Sequence, residues 1–238
     1  MSDDPLAALT RLDGVASAMA SARDGIDAAL RQRRLVPAGD ATAESLLRGA
    51  QASAVLAGSE TSLETLRRGG GDPLGRAAVR VSIELLGLSG TFSRAPLQVF
   101  ARLHMLAAKG STPDDELGRP RGGEAAVRLR TLAETLQRST SAPALVQAAI
   151  AHAEVATVRP FGSGDGIVAR ALERLLLSCR GVDTRSLTVP EAGHLALRDT
   201  YESALDRYRR GGAEGVRGWL LYAAEAYAAG ARAVPMEP

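Results

Sequence analysis

Two apolar runs at helical spacing, separated by one proline and three glycines at alternate positions, constrain this 238-residue chain more than any other feature. Ala142 to Thr157 reads as one helix, and Gly166 to Cys179 as the next, with Ile167, Ala171 and Leu175 on one face beside Leu172 and Leu176. Between them lie Pro160, Gly162, Gly164 and Gly166. A glycine-rich turn opening directly into a helix leaves backbone N–H groups pointing outward, which makes an anion site. Its candidate residues are Arg159, Gly162, Ser163, Gly164, Asp165, Gly166 and Arg170. On spacing alone, a tight interhelical turn accounts for the same glycines.

The two runs belong to a chain that favours close-packed helices. Aromatic residues make up only 3% of it, so a core must be assembled from Ala, Leu and Val. The length suits one globular domain with a small appendage. No run of eighteen apolar residues and no basic-then-apolar leader is visible, and Cys179 is the single cysteine, so the expectation is a cytoplasmic protein without an internal disulfide. Net charge is +2, and the short arginine clusters at 31–34, 67–68 and 207–210 lack interleaved aromatics. They read as solvated helix faces, with no nucleic-acid and no membrane partner expected.

Read residue by residue, Arg159-Pro-Phe-Gly-Ser-Gly-Asp-Gly-Ile-Val-Ala-Arg170 resembles the Fic (Fido) signature, H-P-F-x-(D/E)-G-N-G-R-x-x-R. Pro160, Phe161, Gly164, Gly166 and Arg170 match. Arg159 stands at the histidine, Ser163 at the acid, Asp165 at the asparagine and Ile167 at the first arginine. Upstream, Ser53-Ala-Val-Leu-Ala57-Gly58 resembles the family's inhibitory motif, (S/T)-x-x-x-E-(G/N), with Ala57 in place of the glutamate. In the family that glutamate pairs with the signature's first arginine. Here both charges are missing, which avoids leaving either one unpaired.

The resemblance implies an all-α Fic/Fido bundle, with an N-terminal inhibitory-like helix and a β-hairpin flap that is shortened or absent. Only Gly122-Gly123 separates Arg121 from a helical run, Glu124 to Leu136, so no strand pair fits there. The expected division is a helical extension over 1–40, a Fic-like domain over 41–232 and a tail over 233–238. Within it, Thr42 is read as a helix cap, 67–73 as a flexible loop, 74–88 as a helix and 89–93 as a turn. Further on, 189–208 reads as one helix, Gly211-Gly212 as a break and 219–231 as an apolar helix closing the chain.

In the family, the histidine takes a proton from a target hydroxyl that attacks the α-phosphate of ATP, and the acid holds magnesium. Arg159 cannot act as that base, because a guanidinium stays protonated. Losing a general base lowers the rate by about a hundredfold to ten-thousandfold. ATP and magnesium are therefore implied as cofactors only if residual family activity persists, and no catalytic or metal-ligating residue is assigned. His152 lies two turns before Arg159, roughly 10 Å along the axis, and reads as a core residue. His104 and His194 lie on separate helices without a zinc-ligand spacing, and Ser163 has no nearby His and Asp in sequence. Three readings follow. One is a pseudoenzyme that binds an anionic ligand or a protein partner in the former active-site cleft. Another is a transferase using Asp165 as base or metal ligand with Arg159 and Arg170 as phosphate clamps. The third is a regulatory partner of an active Fic or toxin protein. Homodimer formation through the Leu6–Val15 stripe is a further expectation.

Overall fold

A computed structural model describes residues 4–33 and 38–233. The main helices, in chain order, are α1 (Val15–Arg33), α2 (Ala38–Leu56), α3 (Pro73–Leu85), α4 (Pro96–Ala108) and α5 (Glu124–Gln137). They continue with α6 (Ala144–Val158), α7 (Asp165–Cys179), α8 (Pro190–Ala196), α9 (Arg198–Arg210) and α10 (Gly212–Arg232). Short helices at Pro5–Ala8, Leu63–Arg67 and Ser89–Phe92 fill connections. The architecture is all-α, and no paired strand occurs among the described residues, where Lys109 and Thr112 form an isolated bridge.

The antiparallel pair α6–α7 is the centre of the bundle. An apolar helix with no polar face must be enclosed, and α6 is buried from Leu145 to Ala153. Ala148, Ala149, Ala151 and Ala153 on α6, with Ala169 and Ala171 on α7, let the backbones approach closely. That is how a core poor in aromatics reaches native packing density. Helices α4 and α9 flank the pair, and α10 packs across α6, α8, α9 and α1. The large side chain closing this layer is Trp219, fully buried, whose indole N–H donates to the Ala149 carbonyl at 2.8 Å. Truncating it to alanine would cost about 3–5 kcal/mol.

Several boundaries differ from the sequence reading. Helix α2 starts at Ala38, so Thr42 is internal, and its hydroxyl donates to the Arg185 carbonyl at 2.9 Å. The stretch before α3 is tied down by Asp72, which caps Gly75 N–H at 2.7 Å and accepts from Ser59 Oγ at 2.7 Å. These bonds hold its carboxyl down at about 2. Residues 86–92 continue as a 3₁₀ turn and a short helix in place of a simple turn. The span 190–210 is two helices hinged at Leu197, and α10 begins at Gly212, seven residues ahead of Trp219.

The N-terminal extension is part of the same core. Leu6, Val15, Met19, Ala22 and Ile26 are buried within it, so the apolar stripe proposed for self-association is covered by the chain itself. Residues 34–37 and 234–238, including most of the expected tail, lie outside the described residues. No described helix is long and apolar enough to cross a membrane.

Candidate functional site

The loop joining α6 to α7 is built from backbone conformations that few residues adopt. Arg159 ends α6 in the left-handed region, φ 50 and ψ 59, with its side chain exposed. Gly162 has φ +82, and the Arg121 guanidinium occupies the space a Cβ would take there. Gly164 has φ +65, and a Cβ on it would lie 3.2 Å from the Cβ of Ala107. Glycine meets both demands without strain. The loop is also clamped from outside: Arg121 N–H donates to the Pro160 carbonyl at 2.7 Å, and Phe161 stacks on His104 with ring centroids 4.2 Å apart.

Asp165 decides what this loop can bind. One carboxylate oxygen accepts the Phe161 N–H at 3.0 Å, and the other accepts the Gly162 N–H at 2.7 Å. The anion held by these loop amides is therefore the protein's own carboxylate, placed at the N-terminus of α7 where the helix dipole favours it. Burial pushes this carboxyl above its ordinary value, against the pull of the two amides, Arg159 and Arg121. The first amides of α7 still lack i−4 acceptors and open into the cleft.

Ser163 turns the other way. Its hydroxyl sits 2.7 Å from Thr112 Oγ1 and 3.4 Å from His104 Nε2. The fold thus supplies a histidine that sequence spacing did not reveal. His104 Nδ1 accepts the Gly118 N–H at 2.9 Å, which assigns the ring proton to Nε2, facing the serine. Burial depresses its pKa, keeping that neutral form. In this tautomer His104 donates toward Ser163 and is not placed to deprotonate it.

Beneath the loop, Arg170 is buried and engaged at all three nitrogens. Nε donates to Ser53 Oγ at 2.9 Å, Nη2 to the Ser53 carbonyl at 2.9 Å, and Nη1 to the Tyr201 hydroxyl at 3.1 Å. The structure therefore joins the two distant motifs, 53–58 and 159–170, through Arg170 and Ser53. Deeper still, Glu173, His152 and His194 converge, with their facing atoms within 4.8 Å of one another. Glu173 Oε2 lies 2.9 Å from His194 Nε2 and 3.0 Å from His152 Nδ1, the latter off the line of a hydrogen bond. Tyr201, Tyr222 and Tyr227 hydroxyls contact His152 Nε2, His194 Nδ1 and Glu173 Oε1 at 2.8, 3.0 and 2.8 Å.

One proton assignment accounts for these contacts: Tyr201 and Tyr222 donate to neutral imidazoles whose other N–H groups face Glu173, and Tyr227 donates to the second oxygen. Burial pushes His152 down to about 4, in keeping with a neutral ring. For Glu173, burial raises the pKa, but the two histidines bring it well below the ordinary carboxylate range. Sequence spacing gave no zinc-ligand pattern and read His152 as a core residue; tertiary packing brings His152 together with His194 and a carboxylate at the centre. Two imidazoles and a carboxylate are also a donor set used for divalent transition metals.

A cleft of about 370 Å³ opens above Arg170. It is lined by Gly164 to Ile167, by Leu56 and Ala57, and by the α9 face bearing Tyr201, Glu202, Leu205, Asp206 and Arg209. Ala57 and Ile167, the two positions where the resemblance expects a charge pair, both line it. Among solved structures, this architecture is similar to a Fic family protein from Desulfovibrio desulfuricans G20, with TM-score 0.70 and 18% identity over 91% of this chain and 73% of that one. It is also similar to Fic-1 from C. elegans, with TM-score 0.71 and 17% identity over 92% of this chain and 71% of that one. The fold is the Fic fold.

No family sequence model matches the chain, and no curated protein does. The β-hairpin flap, expected to be shortened or absent, does not occur among the described residues. Residues 109–123 run irregularly to α5 and meet the signature loop through Arg121. A second hollow of about 470 Å³ lies on that side, lined by Thr112, Arg119, Arg121, Phe161 and Ser163 among others. Sequence reasoning missed Arg121 and the α9 face. The 3.6-residue period places Glu202, Asp206 and Arg209 on one side of α9, a signal that was present but pointed equally to solvent.

Proposed function

We propose that this Fic-fold chain has lost AMP transfer by the histidine route and uses its cleft to hold a small anionic ligand. Asp165 carries the reading. A carboxylate engaged by two loop amides is poorly placed either to abstract a proton or to hold magnesium, which argues against a transferase built on Asp165. Arg170, the other residue such a transferase would use, is engaged with Ser53 and Tyr201. What faces the cleft as positive potential is Arg159, exposed and without an ion pair among the described residues, together with the leading amides of α7. A guanidinium and a helix N-terminus favour an anion of the size of one phosphate group over a chelated nucleotide triphosphate.

Two measurements test this. Incubation with labelled ATP, magnesium and a protein extract is expected to leave both target and chain unlabelled, and robust labelling would end the proposal. Thermal melts with inorganic phosphate, ADP and ATP are expected to show stabilisation that Arg159→Ala abolishes. A ligand at 100 times its dissociation constant adds about 2.7 kcal/mol, which a melt resolves. Stabilisation that survives Arg159→Ala would move the ligand out of this cleft.

A further inference from the structure

The cluster of His152, Glu173 and His194 lies in the core, and none of the three lines the cleft. We propose that it is a binding site for one divalent transition-metal ion such as zinc. Its ligands are His152 Nδ1, His194 Nε2 and Glu173 Oε2, brought together by α6, α7 and α8.

The first observation is an orphaned nitrogen. His152 is fully buried, and its Nδ1 has no hydrogen-bond partner. Glu173 Oε2 is only 3.0 Å away, yet the nitrogen is aimed past it. A donor and an acceptor point at each other. Two ligands of one ion can lie equally close, but they point at the ion between them. His194 Nε2 lies 2.9 Å from the same oxygen, and the three facing atoms fall within 4.8 Å of one another. Around a tetrahedral zinc with bonds of about 2.0–2.1 Å, ligand atoms stand about 3.3 Å apart. The two distances to Glu173 Oε2 therefore need to open by only a few tenths of an ångström.

Charge points the same way. Among the described residues, the only ion-pair contacts of the buried Glu173 are the two histidines. Arg170, the nearest guanidinium along the network, bonds Ser53 and Tyr201 instead. With both imidazoles neutral, the carboxylate has no direct counter-ion. Buried carboxylates are normally paired with a cation or coordinated to a metal.

Each ligand is also held from behind. Tyr201 stands 2.8 Å from His152 Nε2, Tyr222 3.0 Å from His194 Nδ1, and Tyr227 2.8 Å from Glu173 Oε1. Such outer partners fix the orientation of metal-bound side chains, and a ligating histidine nearly always uses its second nitrogen in this way. The metal-free chain keeps its ring protons on the inward nitrogens. In the loaded chain each ring takes the other tautomer, with its proton on the nitrogen facing tyrosine, and stays neutral. The cluster has no opening to solvent, so the ion is acquired as the chain folds around it.

Refolding the full chain from denaturant with cobalt(II), followed by desalting, tests the assignment. About one cobalt per chain is expected to remain, with the visible absorption of a four-coordinate ion. His194→Gln is expected to retain cobalt at least about tenfold less tightly. His104→Gln, which removes the one histidine outside the cluster, is expected to retain it as wild type does. No cobalt in refolded wild type, unchanged retention in folded His194→Gln, or loss in folded His104→Gln would each overturn the proposal. Should His194→Gln fail to fold, X-ray absorption at the zinc edge of wild type refolded with zinc reads the ligands directly. Two imidazoles per ion are expected, and one or none would overturn the proposal equally.

Discussion

The mouth of the cleft and the floor beneath it are lined by polar groups that live under opposite conditions. On the floor, Arg170, Tyr201, His152, Glu173 and His194 are buried and linked to one another. At the mouth, Arg159 is exposed and unpaired among the described residues, while Asp165 is turned inward onto the loop's own amides. The difference sorts the signature. Positions that match the Fic motif have structural duties here: Phe161 stacks on His104, Gly164 turns against Ala107, and Arg170 bonds Ser53. Of the exchanged positions, Asp165 and Ile167 are buried, Ser163 turns toward Thr112, and only Arg159 is exposed.

The largest expected effect breaks the floor. Glu173→Ala would remove the acceptor of the inward His194 N–H and leave the Tyr227 hydroxyl only the Leu145 carbonyl at 3.4 Å, in a place water does not reach. Removing one member of a buried charged network costs about 3–5 kcal/mol, which for a chain of this size lowers the melting temperature by roughly 10 °C. A melt within a degree or two of wild type would mean that the network is not what holds the centre together.

Next comes acid. His152 is held at about 4, below the usual 6.5 of a histidine. Between those values the unfolded chain binds a proton that the folded chain does not, so stability falls as pH drops through this window. The loss from this one group is on the order of 3 kcal/mol. Glu173, also depressed, adds loss in the same direction below pH 4.5. Denaturant unfolding of wild type and His152→Gln from pH 7 to pH 4 measures the difference, and parallel curves would remove His152 as the cause.

At the mouth the effects are smaller and change function more than stability. Asp165→Ala is expected to cost about 1–3 kcal/mol, because the Phe161 N–H loses its acceptor and the Gly162 N–H keeps only the Arg159 carbonyl at 3.2 Å. The same change should strengthen phosphate binding, since a negative charge leaves the loop and the Phe161 amide is freed. Weaker binding would show that Asp165 serves the ligand and not only the loop. Smallest of all, Arg159→Gly should relieve the left-handed backbone and gain under about 1 kcal/mol in a melt, while losing the phosphate response. A loss of stability would show that the exposed guanidinium has a structural partner.

Local pattern made much of the fold legible. Helices α4 and α5 begin where Pro96 and Glu124 announce them, and α6 and α7 fall within two residues of the expected limits. Boundaries failed where a cap or a neighbour decided. Asp72 orders a glycine-rich stretch by bonding Ser59, thirteen residues away, and the break at Leu197 divides one periodic pattern into two helices. The site was half legible. The signature loop and the nearness of the 53–58 motif to it followed from motif resemblance, but the Arg170–Ser53 bonds did not, and His104 and the α9 wall arrive from elements that the resemblance did not assign to the site.

By itself, then, the sequence determined that this chain is a helical bundle around an alanine-rich central pair, and that its signature loop lacks a general base at Arg159. Those properties depend on residue identity and short-range spacing. Tertiary structure alone decided that Asp165 fills the loop's amides and that two histidines meet a carboxylate in the core. Each of these depends on the direction of a side chain relative to groups brought from elsewhere, and helix period and motif spacing do not encode that direction.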